Sequence, residues 1–244
     1  MKSLTLIINR KHSTSRYPED DDKSGSVAFV PQLTRLYLCC QGRLPSRIAP
    51  PLPYAQLRHL EVSFHQNVSL PFTLSALAQC TNLETFRDLS YYPRHDVPSV
   101  QRDIALNQLK AVSIKSPSLL SSFTAPALAL LLLPLNYNWS RPCEDLERML
   151  NPICDLMKAF QERSQCRIDA AFLLPIPPGN ACRKFLRGFS HLRTLAINAW
   201  EEGESTSSFI SLLKRDPEET FMPQLDTLNV CLSATPHLRC LSGL

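Results

Sequence analysis

Six histidines (12, 59, 65, 95, 191 and 237) and nine cysteines (39, 40, 80, 143, 154, 166, 182, 231 and 240) are the residue types that could carry acid–base, nucleophilic or metal chemistry. Each use needs company at a set spacing. A zinc site wants two ligand pairs at short fixed intervals, but no CxxC occurs, and adjacent Cys39 and Cys40 suit one metal poorly. No GxSxG, HExxH, Walker or GxGxxG string is present. Only 6 glycines leave little material for a loop that cradles phosphate. The run Asp20–Asp22 has the charge of a cation site but neither the spacing nor the glycine of a calcium loop. The chain therefore reads as a non-enzyme with no cofactor and no metal. His59 and His191 fall at variable positions of a repeated string, as solvent-facing or boundary residues.

That repeated string sets the architecture. "QLTRLYL" places Leu33, Leu36 and Leu38 at LxxLxL spacing, and "QLRHLEV" does so with Leu57, Leu60 and Val62. The same spacing returns with Leu109, Val112 and Ile114, with Leu128, Leu131 and Leu133, and with Leu192, Leu195 and Ile197. Leu225, Leu228 and Val230 repeat it, and Ile168, Ala171 and Leu173 form a weaker copy. "NLETFRDL" is irregular: Leu83 and Phe86 fit, but Asp88 occupies the third apolar slot, and a bulge substituting Leu89 would repair it. First apolar residues fall at 33, 57, 83, 109, 128, 168, 192 and 225, in steps of 24, 26, 26, 19, 40, 24 and 33. Several steps lie in the range of about 20–29 residues typical of leucine-rich repeats.

Alternation along a short strand explains the pattern. Leu60 and Val62 point one way and Glu61 the other. One repeat has too little apolar surface to fold alone, so stacking completes its core. Return segments should then be helical at Leu70–Cys80, Cys143–Ser164, Gly179–Phe189 and Ser205–Arg215. Pro152 should kink or split the second of these. Polar Arg10–Ser26 and Tyr91–Asp103 read as loops. The expected fold class is α/β: a curved leucine-rich-repeat solenoid with an inner parallel sheet and outer helices. Residues 1–30 would form a strand-like segment with a polar loop (10–26). Residues 31–244 would form the irregular solenoid, incomplete at its C-terminal end, where Leu238 and Leu241 begin a repeat.

Composition narrows the job. A net charge of +4 with no concentrated Lys/Arg run gives no footprint for nucleic acid. The apolar run Ala127–Leu135 falls short of the roughly 20 residues that a spanning helix needs, so no membrane is expected. An odd number of scattered cysteines reads as buried thiols in a reducing compartment, cytoplasmic or nuclear. The expected partner is a protein, held by solvent-facing residues of the concave strands: Arg35, Tyr37, His59, Glu61, Lys115, Phe172, Asn198 and Asn229.

The phrases "CTNLETF", "QERSQCRIDAAFL", "FSHLRTLAI" and "FMPQLDTLNV" resemble the leucine-rich-repeat half of the large fungal F-box family over roughly residues 30–244. The resemblance implies the substrate-binding part of an F-box ubiquitin ligase, and the alternative is a stand-alone binding or inhibitory scaffold. The F-box itself is not recognised. "LPSRIAPPLPY" opens with Leu44, Pro45 and Ile48, but Pro50, Pro51 and Pro53 forbid a continuing helix, and Trp139 and Trp200 lie too far downstream. A ligase adaptor would be a partner only through an F-box outside this chain.

Overall fold

A computed structural model describes residues 2–8, 32–40, 52–64, 70–90, 104–134, 143–174, 185–189, 191–199, 222 and 224–232. The loops expected at Arg10–Ser26 and Tyr91–Asp103, the helix expected at Ser205–Arg215, and the tail from Leu238 lie outside the described residues. So does most of the Leu44–Tyr54 string.

The chain divides into two compact units, Met1–Ala127 and Leu128–Leu244. In the first, five strands form a sheet: β1 (Lys2–Ile8), β2 (Leu33–Cys40), β3 (His59–Phe64), β4 (Thr85–Asp88) and β6 (Ala111–Ile114). They lie side by side in that order, each parallel to its neighbour. In the second, β8 (Leu130–Pro134), β9 (Ala170–Leu174), β10 (Thr194–Ala199) and β11 (Thr227–Leu232) do the same. A separate parallel pair, β5 (Ile104–Ala105) with β7 (Phe123–Thr124), braces the first unit. The fold class is therefore α/β with parallel sheets. Parallel neighbours need a crossover between them, which is why each strand is followed by a return segment.

The apolar spacing read from the sequence becomes three buried columns in the repeats up to β10, but the expected last copy does not join them: Leu225 is half-buried, and Leu228 and Val230 are each 37% exposed. First-position residues Leu33, Leu57, Leu83, Leu109, Leu128, Ile168 and Leu192 are all buried. Leu36, Leu60, Phe86 and Val112 align in register and are buried as well, as are Leu131, Ala171 and Leu195 in the second unit. One main-chain arrangement recurs with them. The carbonyl of the residue after the first apolar position accepts from two amides of the next repeat: Arg58 from Glu84 and Thr85, Glu84 from Lys110 and Ala111, Ala129 from Asp169 and Ala170. Asp169 does the same for Arg193 and Thr194, and Arg193 for Asp226 and Thr227. Each first leucine thus anchors both a buried side chain and the entry of the next strand. At about 1.5–3 kcal/mol per buried Leu, the columns dominate cohesion.

Return segments vary. A 3-10 turn (Tyr54–Gln56) leads into β3, helix α1 (Leu70–Leu77) follows it, and a longer 3-10 segment (Pro117–Ser122) precedes β7. Most of α1 is buried, and Phe72 meets Phe64 of β3 edge-on with ring centroids 5.5 Å apart. Helix α2 (Cys143–Ser164) has the expected bounds and runs unbroken with Pro152 inside it, so the proline does not split it. Only 185–187 of the helix expected at Gly179–Phe189 is described as helical. Amide side chains tie successive returns: Asn82 Nδ2 donates to the Ala55 carbonyl at 2.8 Å, and Gln161 Nε2 to the Gly188 carbonyl at 2.9 Å.

The bulge expected at Leu89 is absent. Asp88 itself fills the third column between Val62 and Ile114, at 1% exposure, and Leu89 is only half-buried. A carboxylate is tolerated there because it ends the strand with its own hydrogen bonds. Asp88 Oδ1 accepts from the Ser90 amide at 2.8 Å, and Ser90 Oγ accepts from the Phe64 amide at 3.2 Å. The side chains replace main-chain pairing where the ladder stops, which removes the cost of burying unpaired polar groups.

Candidate recognition face on the strands

Strand alternation puts every second residue on the side away from the columns. In the first unit the pairing aligns Ser3, Arg35, His59, Thr85 and Ala111 in one row, and Thr5, Tyr37, Glu61, Arg87 and Ser113 in the next. Five of the eight expected binding residues therefore belong to this unit: Arg35, Tyr37, His59 and Glu61 in the rows, and Lys115 just beyond β6. In the second unit the rows are Leu130, Ala170, Thr194 and Thr227, then Leu132, Phe172, Ala196 and Asn229. Phe172 is half-exposed and Asn229 exposed. Asn198 pairs with Cys231 at the backbone, and its side chain lies outside the described residues.

The first unit's face is a charged lattice. Glu61 pairs with Arg87 at 3.6 Å. Glu84, at the N-terminal lip of the strands, bridges Arg58 at 3.3 Å and Lys110 at 3.5 Å. His59 Nδ1 shares a 2.7 Å hydrogen bond with Thr85 Oγ1. Burial, then the nearby Arg35, hold the His59 pKa below its usual value, with Arg58 acting the same way and Glu84 opposing. His59 is thus a neutral imidazole near neutral pH. Burial, reinforced by the Cys39 thiol, pushes the Tyr37 phenol up, with the Ser63 hydroxyl pulling the other way.

Thr85, Arg87, Arg58, Glu84 and Lys110 were not among the residues expected from the sequence. The supposed bulge had displaced β4 from the register, whereas an in-line reading of Leu83, Phe86 and Asp88 would have exposed Thr85 and Arg87. Leu130 and Leu132 were also missed. In a run of leucines every position looks like core, and only pairing with Ala170 and Phe172 shows that these two face away from it. Together with Phe172 they give the second unit a half-exposed apolar patch.

Among the described residues no group of three or more His, Cys, Asp or Glu side chains could hold a metal ion. Cys39, Cys80, Cys154 and Cys166 are not joined in disulfides. Cys80 is buried and its pKa is pushed up to about 12, while burial raises that of Cys166 to about 11, so both are protonated and poor nucleophiles at neutral pH. His191 is exposed. No helix among the described residues is long and apolar enough to cross a membrane. No family model, curated protein or solved structure matches the chain.

Proposed function

We propose that this chain is a leucine-rich-repeat solenoid that recognises a protein target through the open face of its parallel strands. The observation that carries the reading is the partition of the central strands: alternate side chains are taken by the buried columns, and between them stand, in register, charged, aromatic and half-exposed apolar residues, although Ser113 and Ala196 in these rows are buried and β11 departs from the partition. Rows anchored by rigid strands are preorganised, which lowers the ordering cost of binding. The mix of Arg35, Arg87, Tyr37 and Phe172 also matches the residue types that dominate binding hot spots.

The resemblance to fungal F-box proteins extends this reading to the substrate-binding part of a ubiquitin ligase, its adaptor engaged by an F-box outside this chain. A scaffold without a ubiquitin role uses the same face. Affinity capture from the source cells tests both. Tyr37→Glu and Phe172→Glu are expected to lose bound proteins that Lys158→Glu, on the exposed side of α2, retains. A captured set lost with Lys158→Glu and kept by the face variants would overturn the assignment. The ligase reading further requires the adaptor subunit in complexes of the full transcript's product.

A further inference from the structure

The charges of the first unit's open face do not cancel. Five cations lie on it or at its lip: Arg35, Arg58, Arg87, Lys110 and Lys115. Among the described residues they are met by two carboxylates, Glu61 and Glu84, a surplus of three positive charges. The third described carboxylate of this unit, Asp88, is buried on the column side. Arg58, Arg87 and Lys110 have their Glu partners, whereas Arg35, which is exposed, and Lys115, which is half-exposed, have no ion-pair partner among the described residues.

We propose that the ligand of this face is an acidic segment of a partner protein, its carboxylates meeting Arg35 and Lys115, with Tyr37 beside Arg35 on β2. The proposal rests on the recognition reading above and names the partner's chemistry. Charge complementarity selects the occupant. Strands stand about 4.8 Å apart, so β6 lies roughly 14 Å from β2, and Lys115 is four residues along from Ala111, the row partner of Arg35; the two cations are then about 20 Å apart, the span of about six extended residues. A nucleic-acid backbone suits the face less well. Glu61 and Glu84 interrupt the cations, and Tyr37 is the lone aromatic in the two described rows, where single strands favour several stacking platforms.

Fluorescence anisotropy on the full chain tests this, with a labelled peptide alternating Glu and Ser, its Gln–Ser counterpart and an oligouridine of matched length. The Glu peptide should bind at low salt, weaken as salt rises, and lose about tenfold in affinity to an Arg35→Glu/Lys115→Glu variant. Arg35→Gln/Lys115→Gln, which removes charge without adding repulsion, should fall between that variant and the native chain. Absence of Glu-peptide binding, equal binding of the Gln peptide, indifference to both variants with unchanged circular dichroism, or tighter binding of oligouridine would each overturn the proposal. Native capture of proteins that is sensitive to Phe172→Glu, alongside failure of the Glu peptide, would leave the recognition reading standing and remove only the acidic partner.

Discussion

Leu60 and Glu61 are adjacent in β3, yet the fold assigns them opposite tasks, and the difference can be measured. Leu60 is 2% exposed and lies between Leu36 and Phe86 in the second column. Truncation to alanine deletes three carbons, about 2.4 kcal/mol at about 0.8 kcal/mol per methylene. The cavity left behind brings the expected cost to about 2–5 kcal/mol. Glu61 loses only an ion pair of 3.6 Å whose side chains are each about a third exposed, roughly 0.2–1 kcal/mol. Native-state hydrogen exchange of peptides spanning β3 and β4 reads both within the first unit. At 1.36 kcal/mol per decade, Leu60→Ala should accelerate the slowest amides about 30-fold or more, and Glu61→Ala about fivefold or less. Urea unfolding should rank the two variants in the same order. Equal acceleration, or none for Leu60→Ala, would refute the alternation on which the open face depends.

Asp88→Ala should destabilise the first unit by about 2 kcal/mol, because it removes a buried acceptor from the Ser90 amide, and Asp88→Asn should cost less, since its amide oxygen can still accept; denaturant midpoints decide. His59 carries a sign prediction. Its folded pKa lies below the unfolded value of 6.5, so the unfolded chain takes up the proton first. Stability is then fully present above about pH 6.5 and declines as the pH falls toward the folded pKa. His59→Gln should remove that part of the slope in a pH series of urea midpoints. Tyr54 is 1% exposed and its hydroxyl has no hydrogen-bond partner among the described residues. Burial raises its pKa. Tyr54→Phe should therefore be neutral or stabilise by up to about 1 kcal/mol in thermal unfolding, and a loss above that would reveal a partner for the hydroxyl.

The columns were legible in the sequence because a period of two within each strand and a return of about 25 residues leave few alternatives for Leu33, Leu57, Leu83 and Leu109. Helix α2 was legible for a similar reason: its apolar face and acidic start outweigh one internal proline. The face was less legible. Which charges meet depends on lateral register, and two errors obscured it. Asp88 reads as misplaced because a carboxylate in an apolar column looks forbidden until the Ser90 amide is seen to donate to it. Leu130 and Leu132 were hidden inside a leucine run. The charge surplus was invisible for a different reason: Arg35, Arg58, Arg87, Lys110 and Lys115 span 80 residues and converge only when the strands stack.

Site-specific photo-crosslinking in the source cells, with a photoreactive phenylalanine analogue placed in turn at Tyr37, Phe172 and Lys158, tests the central claim most directly. Open-face recognition predicts protein adducts from Tyr37 or Phe172 and none of the same adducts from Lys158. Adducts from Lys158 alone would move the binding surface to the helices and contradict the account.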